Sequence, residues 1–302
     1  MQSSASMGYR FPHPLQPGDT LRVVAPSGAL RDPESLQAGV AIWQERGFAI
    51  RLDGSVEAQQ GYLAGSDAQR REALLGACRD PTCRGILYAR GGYGSARLLE
   101  PPLPPPPRKW SIGFSDATSL LWQWARLGVV SLHGPLITTL ASEPAWSIQR
   151  LFDCAAGRTP QSLQGDGWGG GRARGPLLPA NLSVATHLLG TPLLPALQGA
   201  ILAWEDVGEA PYRLDRLLTQ WRLSGALQAV SGIALGRFSR CEPPPDRPSG
   251  DARAVLRDRL GDLGVPVVAD LPFGHHGPNA TLPVGPTVCL DGEAGVLHWE
   301  PW

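Results

Sequence analysis

The chain has 302 residues, of which 42% are hydrophobic, a composition typical of a folded protein with about two domains of ~150 residues each. Its 27 basic residues balance 27 acidic ones, so the charge predicts no binding surface for nucleic acid or for an anionic membrane. The first twenty residues lack the apolar core of a signal peptide, and no stretch approaches the ~20 apolar residues of a membrane span. We therefore expect a cytoplasmic protein that acts on a small or peptidic substrate.

The first half of the chain alternates between short apolar runs and helical patterns. A buried strand is predicted just after residue 20, and a helix over residues 32–47 follows, with Asp32 as its N-cap, Pro33 in its first turn and Gly47 at its end. Further elements follow in order: a helix at 67–78, a strand at 84–89, a glycine loop, a strand at 110–115, a helix at 116–128 and a strand at 129–134. This alternation predicts a mostly parallel sheet flanked by helices, a Rossmann- or flavodoxin-like N-terminal α/β domain over residues 15–140.

Two stretches look like connections. Residues 101–107 contain six prolines and predict an extended connector, with a ligand for an SH3-type domain as the alternative. Residues 157–176 are rich in glycine and polar side chains, which places the junction between the domains at residues 141–176.

The second half predicts a smaller mixed α/β domain over residues 177–302. Its expected elements are a helix at 182–190, a strand at 200–206, a helix at 211–225, a strand at 232–238, a helix at 252–264, a strand at 265–271 and a closing hairpin that turns at Asp291–Gly292.

The cysteines do not predict a metal or disulfide framework. They are Cys78, Cys83, Cys154, Cys241 and Cys289. Their number is odd and no pair has the Cys-x-x-Cys spacing of a zinc or redox site. We expect buried free thiols in a reducing compartment, in preference to a metal site.

Ser115 stands between a predicted strand and a predicted helix, in "SIGFSDATSL". Such a turn exposes a hydroxyl, and the N–H groups of the first helical turn can hold an oxyanion, so the position suits a nucleophile. The second glycine of a Gly-x-Ser-x-Gly elbow is missing, and a serine here can instead cap the helix. The spacing leaves both roles open, and they can coexist.

A glycine loop, "ARGGYGSARLL", follows the predicted strand 84–89. Gly91, Gly92 and Gly94 let the backbone turn sharply or come close to a ligand, as a phosphate loop or an oxyanion donor requires. The loop matches neither the Walker pattern nor a full Gly-x-Gly-x-x-Gly. A tight turn is the alternative.

Carboxylates follow the predicted strand 200–206. Glu205 and Asp206 end it and Glu209 comes shortly after, which is where ligands bind in α/β folds. A carboxylate there could fix the tautomer of a catalytic histidine. The alternative is a group of acids that caps the helix beginning at Pro211.

His275 and His276 are neighbours in "LPFGHHGPNA". Neighbours along an extended chain point to opposite faces, so one ring rather than both is expected in a site. The remaining four histidines are scattered, and none of the zinc-protease strings occurs. The sequence therefore favours nucleophilic catalysis with no metal and no cofactor.

Nine strings between about residues 20 and 285 resemble, in order, those of the serine LD-carboxypeptidase family. Among them are "LYARGGYGSARLL", "IGFSDATSLL", "WEDVGEAPYRLDRLL" and "LPFGHHGPNATLPVG". These enzymes are also called muramoyltetrapeptide carboxypeptidases, and they include a microcin-C-resistance branch. The resemblance implies a cytoplasmic, homodimeric, metal-independent serine peptidase that removes the C-terminal D-amino acid from murein tetrapeptides in peptidoglycan recycling.

The same resemblance assigns a catalytic triad. The serine of the family's Gly-aromatic-Ser-Asp motif falls on Ser115 as nucleophile, and the first acid of its Glu-Asp-x-Gly-Glu motif falls on Glu205 as the orienting member. The histidine that follows glycine, six residues before Thr281, falls on His275. The resemblance thus selects His275 over His276 as the base.

Further site residues are expected around this triad. The family's oxyanion hole falls on the backbone N–H groups of Asp116 and of Gly91 or Gly92. A carboxypeptidase also needs a cation for the terminal carboxylate of its substrate. The candidates are Arg90 and Arg213.

Two alternatives in function remain open from the sequence. The first is hydrolysis of a microcin-C-type aminoacyl-nucleotide, a peptidyl-nucleotide substrate on whose base Trp168 could stack, although this tryptophan could equally anchor its loop. The second is a binding protein without catalysis, in which the glycine loop holds a phosphate and Ser115 only caps its helix.

The chain departs from the family pattern in two places. The family's Asn-Pro-Lys-like segment before the serine is replaced by the proline run that ends at Arg108 and Lys109, which leaves open which glycine donates to the oxyanion. The family's Gly-Gly-Asn-Leu appears as Pro179 to Leu182. We expect neither change to abolish the triad.

Overall fold

The computed structural model describes residues 8–104, 108–243 and 250–301. The chain divides into two compact units. The first comprises Met1–Ser142, Ala155–Gly157 and Pro283–Gly285, and the second comprises Glu143–Cys154, Arg158–Leu282 and Pro286–Trp302.

The strands and helices alternate along most of the chain. The strands are β1 (Thr20–Val24), β2 (Ala49–Leu52), β3 (Cys83–Tyr88), β4 (Trp110–Gly113), β5 (Ser131–His133), β6 (Leu163–Gln164), β7 (Asp166–Gly167), β8 (Arg172–Asn181), β9 (Ile201–Val207), β10 (Gly232–Ser239), β11 (Val267–Ala269), β12 (Leu282–Val284), β13 (Thr287–Asp291) and β14 (Val296–Trp299). The helices are α1 (Pro33–Glu45), α2 (Asp67–Arg79), α3 (Thr118–Arg126), α4 (Ile137–Leu140), α5 (Ala145–Ala155), α6 (Leu182–Leu188), α7 (Pro211–Leu223) and α8 (Ala252–Leu260).

The first unit is built on a six-stranded sheet in the order β12-β5-β4-β3-β1-β2. Strands β1 to β5 pair in parallel, which confirms the predicted parallel sheet. Strand β2 was not predicted, because three of its four residues are exposed and it lacks an apolar run. Helix α1 forms for the expected reasons, since Asp32 accepts a hydrogen bond from the Ser35 amide and Gly47 has φ +87°.

The second unit contains an eight-stranded sheet in the order β6-β14-β13-β8-β9-β10-β11-β7. Strands β8 to β11 are parallel, and β13 pairs with β8 in the antiparallel direction. A mixed second domain is therefore confirmed. Because β8, β9 and β10 run in parallel, their carboxyl ends lie at one edge of the sheet, and this edge carries the polar groups described below.

The chain passes from the first unit to the second within the predicted junction of residues 141–176, after Ser142 and again after Gly157. This stretch contains α5, β6, β7 and the beginning of β8, and most of it belongs to the second unit. The glycines serve the sheet itself: the three from Gly169 to Gly171 have positive φ in the turn before β8, and a Cβ at Gly175 would collide with the backbone of Gly199. The glycines after this crossing therefore form tight turns and close strand contacts within the second unit.

The closing hairpin, the proline run and the cysteines were also predicted from the sequence. The closing hairpin is present, but Asp291 pairs with Val296, so its turn takes four residues, with two amides donating to the Asp291 carboxylate. Residues 101–104 of the proline run have no helix or strand, and residues 105–107 lie outside the described part. All five cysteines are free, and only Cys289 is not buried; burial raises the pKa of Cys78 to about 11.

The described residues contain neither a membrane-spanning helix nor a metal-binding cluster. Within residues 8–104, 108–243 and 250–301, no helix is both long enough and apolar enough to cross a membrane. The same ranges hold no cluster of three or more histidine, cysteine or acidic side chains that could bind a metal ion.

Candidate active site

Ser115 lies in a strained turn of the first unit. Strand β4 ends at Gly113, a short 3₁₀ turn spans Ser115–Ala117, and α3 begins at the next residue. Ser115 itself has φ +63°, a left-handed conformation that costs a non-glycine residue about 1–3 kcal/mol. This is the backbone shape of a nucleophile elbow, in which a sharp strand-to-helix turn presents a serine hydroxyl.

Ser115 does not occupy the N-cap position of either helical element. The N-cap of the 3₁₀ turn is Phe114 and the N-cap of α3 is Ala117, and neither makes a side-chain capping bond. Ser115 is therefore not an N-cap residue. Strained backbone conformations of this kind are typical of residues whose side chains are held at a functional site.

The glycine loop passes directly against Ser115. A Cβ built on Gly91 would lie 2.8 Å from Ser115 Oγ and 2.9 Å from Ser115 Cβ, so only glycine leaves the serine side chain in place. The Gly91 carbonyl accepts a hydrogen bond from the Gly28 amide at 3.1 Å, and Gly92 has φ +111°. The loop thus brings backbone close to the Ser115 hydroxyl, as an oxyanion site beside this serine would require.

The carboxylate of Asp116 holds the surrounding loops together. It is almost fully buried, and its Oδ2 accepts hydrogen bonds from Ser27 Oγ at 2.6 Å and from the Ser95 amide at 2.8 Å. The Ser95 hydroxyl in turn donates to the Asp116 carbonyl at 2.5 Å. This network fixes the Asp116 backbone, whose N–H is one of the expected oxyanion donors.

Arg90 is a half-buried cation in the same unit. Its guanidinium donates to the Ala29 carbonyl at 2.6 Å, and burial, followed by the charge of Arg31, lowers the pKa of Arg90. A Cβ on Gly92 would lie 3.5 Å from this guanidinium. Arg90 therefore lies beside the glycine loop.

In the second unit, His275 is hydrogen-bonded to Glu205. The His275 Nδ1 and Glu205 Oε2 atoms are 2.6 Å apart, and the glutamate side chain is fully buried while 18% of the histidine side chain is exposed. Glu205 lies in β9 opposite Asn181, the last residue of β8, and Asn181 Nδ2 donates to Glu205 Oε1 at 3.3 Å. The carboxylate is thus bound through both of its oxygens.

The pKa of His275 is set by burial and by the neighbouring carboxylates. Burial has the largest single effect and lowers the pKa of His275, but the charge and hydrogen bond of Glu205, together with the charge of Asp206, outweigh it, so that the pKa is raised above 6.5. A histidine paired with a buried carboxylate in this way has one tautomer and a stabilised cation, as a general base in nucleophilic catalysis requires. His276, by contrast, is exposed.

Asp206 forms a second buried carboxylate beside Glu205. It accepts hydrogen bonds from the Ser183 amide at 2.9 Å, from the Ser183 hydroxyl at 2.8 Å and from Asn181 Nδ2 at 3.0 Å. Burial, and then the charge of Glu205, raises the pKa of Asp206 to about 6. Asn181 therefore links the two carboxylates, while its own Oδ1 caps α6 by accepting from the Val184 amide.

The sequence did not identify this role of Asn181. The available signal was an asparagine at a strand-to-helix boundary, which predicts the cap but not the bonds to side chains 24 and 25 residues away. The departure at Pro179 and Ala180 leaves the arrangement intact, because both residues continue β8 in register with β9.

Two further candidates have other partners in the second unit. The Arg213 guanidinium lies 3.6 Å from the Glu209 carboxylate and over the Tyr212 ring. Trp168 donates from Nε1 to Asp166 at 3.1 Å, and the Arg257 guanidinium covers its ring at 4.5 Å from the centroid. The structure brings Glu205 and His275 together, and in the described ranges neither Arg213 nor Trp168 bonds to them.

A strained serine beside a glycine loop and a histidine bonded to a buried glutamate are the groups found in nucleophilic hydrolases. Family models agree with this class. Residues 21–134 match the LD-carboxypeptidase N-terminal domain and residues 174–290 match the LD-carboxypeptidase C-terminal domain. The chain belongs to the LD-carboxypeptidase family, and it is a hydrolase of the carboxypeptidase type.

Individual relatives cover nearly the whole chain. A Synechocystis protein named "Putative carboxypeptidase slr1534" is 54% identical over 98% of this chain and 99% of its own length. The murein tetrapeptide carboxypeptidase of Pseudomonas aeruginosa is 32% identical over 92% of this chain and 94% of its own.

Solved structures share the fold. The muramoyltetrapeptide carboxypeptidase of Oxalobacter formigenes is 29% identical and superposes with a TM-score of 0.81 over 92% of this chain and 97% of its own. MccF in complex with glutamyl sulfamoyl guanosine superposes with a TM-score of 0.86 over 96% and 98%, at 20% identity. At that identity the second likeness concerns the fold alone.

Proposed function

We propose that this protein is a serine LD-carboxypeptidase that cleaves the amide before the C-terminal D-amino acid of murein tetrapeptides, with Ser115, Glu205 and His275 as its triad. The observation that carries the proposal is the 2.6 Å bond between His275 Nδ1 and the buried Glu205 carboxylate. That bond assigns Nδ1 to the glutamate, so Nε2 is the ring atom that exchanges protons with the substrate and the nucleophile.

The chemistry then follows in two halves. His275 Nε2 takes the proton of the Ser115 hydroxyl as Ser115 Oγ attacks the carbonyl carbon, and backbone N–H groups of Asp116 and of Gly91 or Gly92 bind the resulting oxyanion. His275 returns the proton to the nitrogen of the leaving D-amino acid, and the amide bond breaks. Water then attacks the acyl-enzyme by the same route and releases the shortened peptide.

The residues of the first unit support this role for Ser115. The left-handed turn presents its hydroxyl, the glycine at position 91 leaves room for that hydroxyl, and the buried Asp116 carboxylate fixes the adjacent backbone. Loss of one oxyanion donor typically costs about 3 kcal/mol in transition-state stabilisation, so this rigidity matters for rate.

The substrate assignment is supported by the relatives. The Pseudomonas aeruginosa and Oxalobacter formigenes proteins bear names that specify murein or muramoyl tetrapeptides, which fits a role in peptidoglycan recycling. For the terminal carboxylate of this substrate we propose Arg90 in preference to Arg213, because Arg90 adjoins the glycine loop whereas Arg213 already has Glu209 as an ionic partner.

The competing substrate is an aminoacyl-nucleotide of the microcin C type. The ligands named for several MccF structures are of this kind, but those proteins are about one-fifth identical to this chain. Trp168, the candidate for stacking on a base, is covered by Arg257. We therefore favour the peptide substrate.

A side-by-side assay separates the two substrates. The purified protein is given a murein tetrapeptide and a processed microcin, with Ser115→Ala as the control for contaminating activity. We expect release of D-alanine from the tetrapeptide by the wild type only. Hydrolysis of the microcin with no D-alanine release would replace the substrate assignment, and binding of a nucleotide without any turnover would favour a protein that does not catalyse.

We also propose that the protein is a cytoplasmic homodimer, as the family resemblance implies. Sedimentation velocity tests the dimer and cell fractionation tests the location. A monomer at assay concentration, or recovery outside the cytoplasm, would contradict the corresponding statement.

A further inference from the structure

The histidine loop, defined as residues 271–281, carries His275 between β11 and β12 and has no helix or strand of its own. Its ends are joined by a hydrogen bond from the Ala280 amide to the Pro272 carbonyl at 2.8 Å. At its start the loop pairs with β10: the Leu271 amide donates to the Leu235 carbonyl at 3.0 Å, and the Phe273 carbonyl accepts from the Arg237 amide at 2.9 Å. After Phe273, the position of the loop depends on individual hydrogen bonds. Three groups of such bonds surround His275.

The first group lies within the histidine loop. Asn279 is 1% exposed, and its Oδ1 accepts a hydrogen bond from the Gly274 amide at 3.0 Å. Gly274 directly precedes His275 and has φ +125°, and a Cβ on it would lie 3.2 Å from Glu205 Cβ. Asn279 thus fixes the backbone that lies between the histidine and its glutamate.

The second group holds Asn279 from outside the loop. Glu143 Oε2 accepts a hydrogen bond from the Asn279 amide at 2.9 Å, and the Ser147 hydroxyl donates to the Asn279 carbonyl at 3.1 Å. Ser147 lies in the first turns of α5 and Glu143 lies just before that helix. Both backbone groups of Asn279 are therefore bound by side chains more than 130 residues away in sequence.

The third group acts on the opposite side of the loop. The guanidinium of Arg237, in β10, donates to the carbonyls of His276 and Pro278, each at 3.0 Å. A Cβ on Gly277 would collide with this guanidinium. The loop is consequently held by β10 on one side and by the start of α5 on the other.

We propose that Glu143 and Asn279 are positioning residues for His275: Glu143 holds the Asn279 backbone, and the Asn279 side chain holds the amide next to His275. The inference rests on the proposed function, because it assumes that His275 is the base. Neither residue takes part in a chemical step. Their effect is on the alignment of the imidazole, where a displacement of about 1 Å can cost roughly 10²-fold in rate.

The test compares two substitutions at one position. Glu143→Ala removes the acceptor for the Asn279 amide, whereas Glu143→Gln keeps a carbonyl oxygen there. We expect kcat for D-alanine release to fall about tenfold or more in Glu143→Ala, with KM nearly unchanged, and to be largely restored in Glu143→Gln. Ser147→Ala removes only one of the two supports and should give a smaller loss, which keeps the test usable if Glu143→Ala does not fold.

Asp251→Ala is the matched control. Asp251 also lies in the second unit and its carboxylate also accepts one backbone amide, that of Ala254 at 2.7 Å, but this bond caps α8. We expect Asp251→Ala to lower the melting temperature without changing kcat. Equal losses of kcat in Asp251→Ala and Glu143→Ala would mean that the effect is general destabilisation, and would overturn the proposal.

A second readout needs no substrate, so it separates failure of this inference from failure of the proposed function. In NMR spectra, the Nδ1 proton shared by His275 and Glu205 should be sharp in the wild type and in Glu143→Gln, and broadened or lost in Glu143→Ala. Hydrogen exchange at the Gly274 amide should accelerate in Glu143→Ala alone. An unchanged Nδ1 resonance and unchanged exchange in Glu143→Ala would overturn the proposal, even if the enzyme cleaves tetrapeptides through Ser115.

Discussion

The Nδ1 atom of His275 lies 2.6 Å from the Oε2 atom of Glu205, although the two residues are 70 positions apart in sequence. The glutamate has no exposed side-chain surface, so its charge acts on the imidazole with little screening by water. The same carboxylate accepts a second hydrogen bond from Asn181. The predictions for the pH dependence of activity and for replacement of the two histidines follow from this pair.

Glu205→Gln should shift the pH dependence of activity. The base must be neutral to act, so kcat/KM rises as His275 loses its proton. Because the pKa of His275 is raised, this rise, the acid limb of the profile, should be centred above pH 6.5. Glu205→Gln removes the largest of the influences that raise the pKa of His275, so the limb should move to lower pH while kcat falls by about 10²–10⁴-fold. The pH profile of kcat/KM measures both effects, with Glu209→Gln as control. An unshifted limb would show that Glu205 does not set the protonation of the base.

The two neighbouring histidines should differ sharply when replaced. His275→Ala removes the ring that bonds to Glu205 and should lose nearly all activity. His276 is exposed, and the loop uses its backbone carbonyl rather than its ring, so His276→Ala should keep substantial activity. Steady-state kinetics on the tetrapeptide decides the matter. Equal losses in both variants would mean that both rings belong to the site.

Gly91→Ala should strongly reduce activity while the protein still folds. Its φ is not in the left-handed region, so alanine fits the backbone, but the new methyl group would lie 2.8 Å from Ser115 Oγ. We expect kcat/KM to fall about 10²-fold or more, since that methyl occupies the space of the attacking hydroxyl. Gly54→Ala is the control, because a Cβ there meets nothing within 4 Å. Wild-type activity in Gly91→Ala would place the glycine loop away from the reacting atoms.

Asp206 should make stability depend on pH. Its pKa is raised from 3.8 to about 6, so the folded state holds a proton that the unfolded chain releases between these values. That contribution to the free energy of unfolding is present below pH 3.8 and is lost as the pH rises through about 6. Asp206→Asn stays neutral throughout, so its stability relative to the wild type should improve across this window. Urea denaturation at several pH values measures the difference, and a constant difference would contradict the assignment.

Local sequence signals predicted much of the fold but few of the contacts that build the site. One helix is defined by Asp32, Pro33 and Gly47 through interactions with their immediate neighbours. Short-range signals of this kind can be recognised in the sequence. The bonds of Asn181 to the carboxylates and of Glu143 to Asn279 join residues far apart in the chain, and no spacing rule predicts them. Glycine was ambiguous for a physical reason, because the tight turns before β8 and a connection between domains call for the same residue.

The central claim is that Ser115 is a nucleophile activated by His275, and a serine-directed phosphonate probe tests it most directly. The protein is treated with the probe, digested and analysed by mass spectrometry, and labelling rates are compared among the wild type, Ser115→Ala and His275→Ala. We predict an adduct on Ser115 in the wild type, none at that site in Ser115→Ala, and labelling slowed by about 10³-fold or more in His275→Ala, since nucleophile and base act as a unit. Labelling of another serine together with D-alanine release by Ser115→Ala at the wild-type rate would contradict the account.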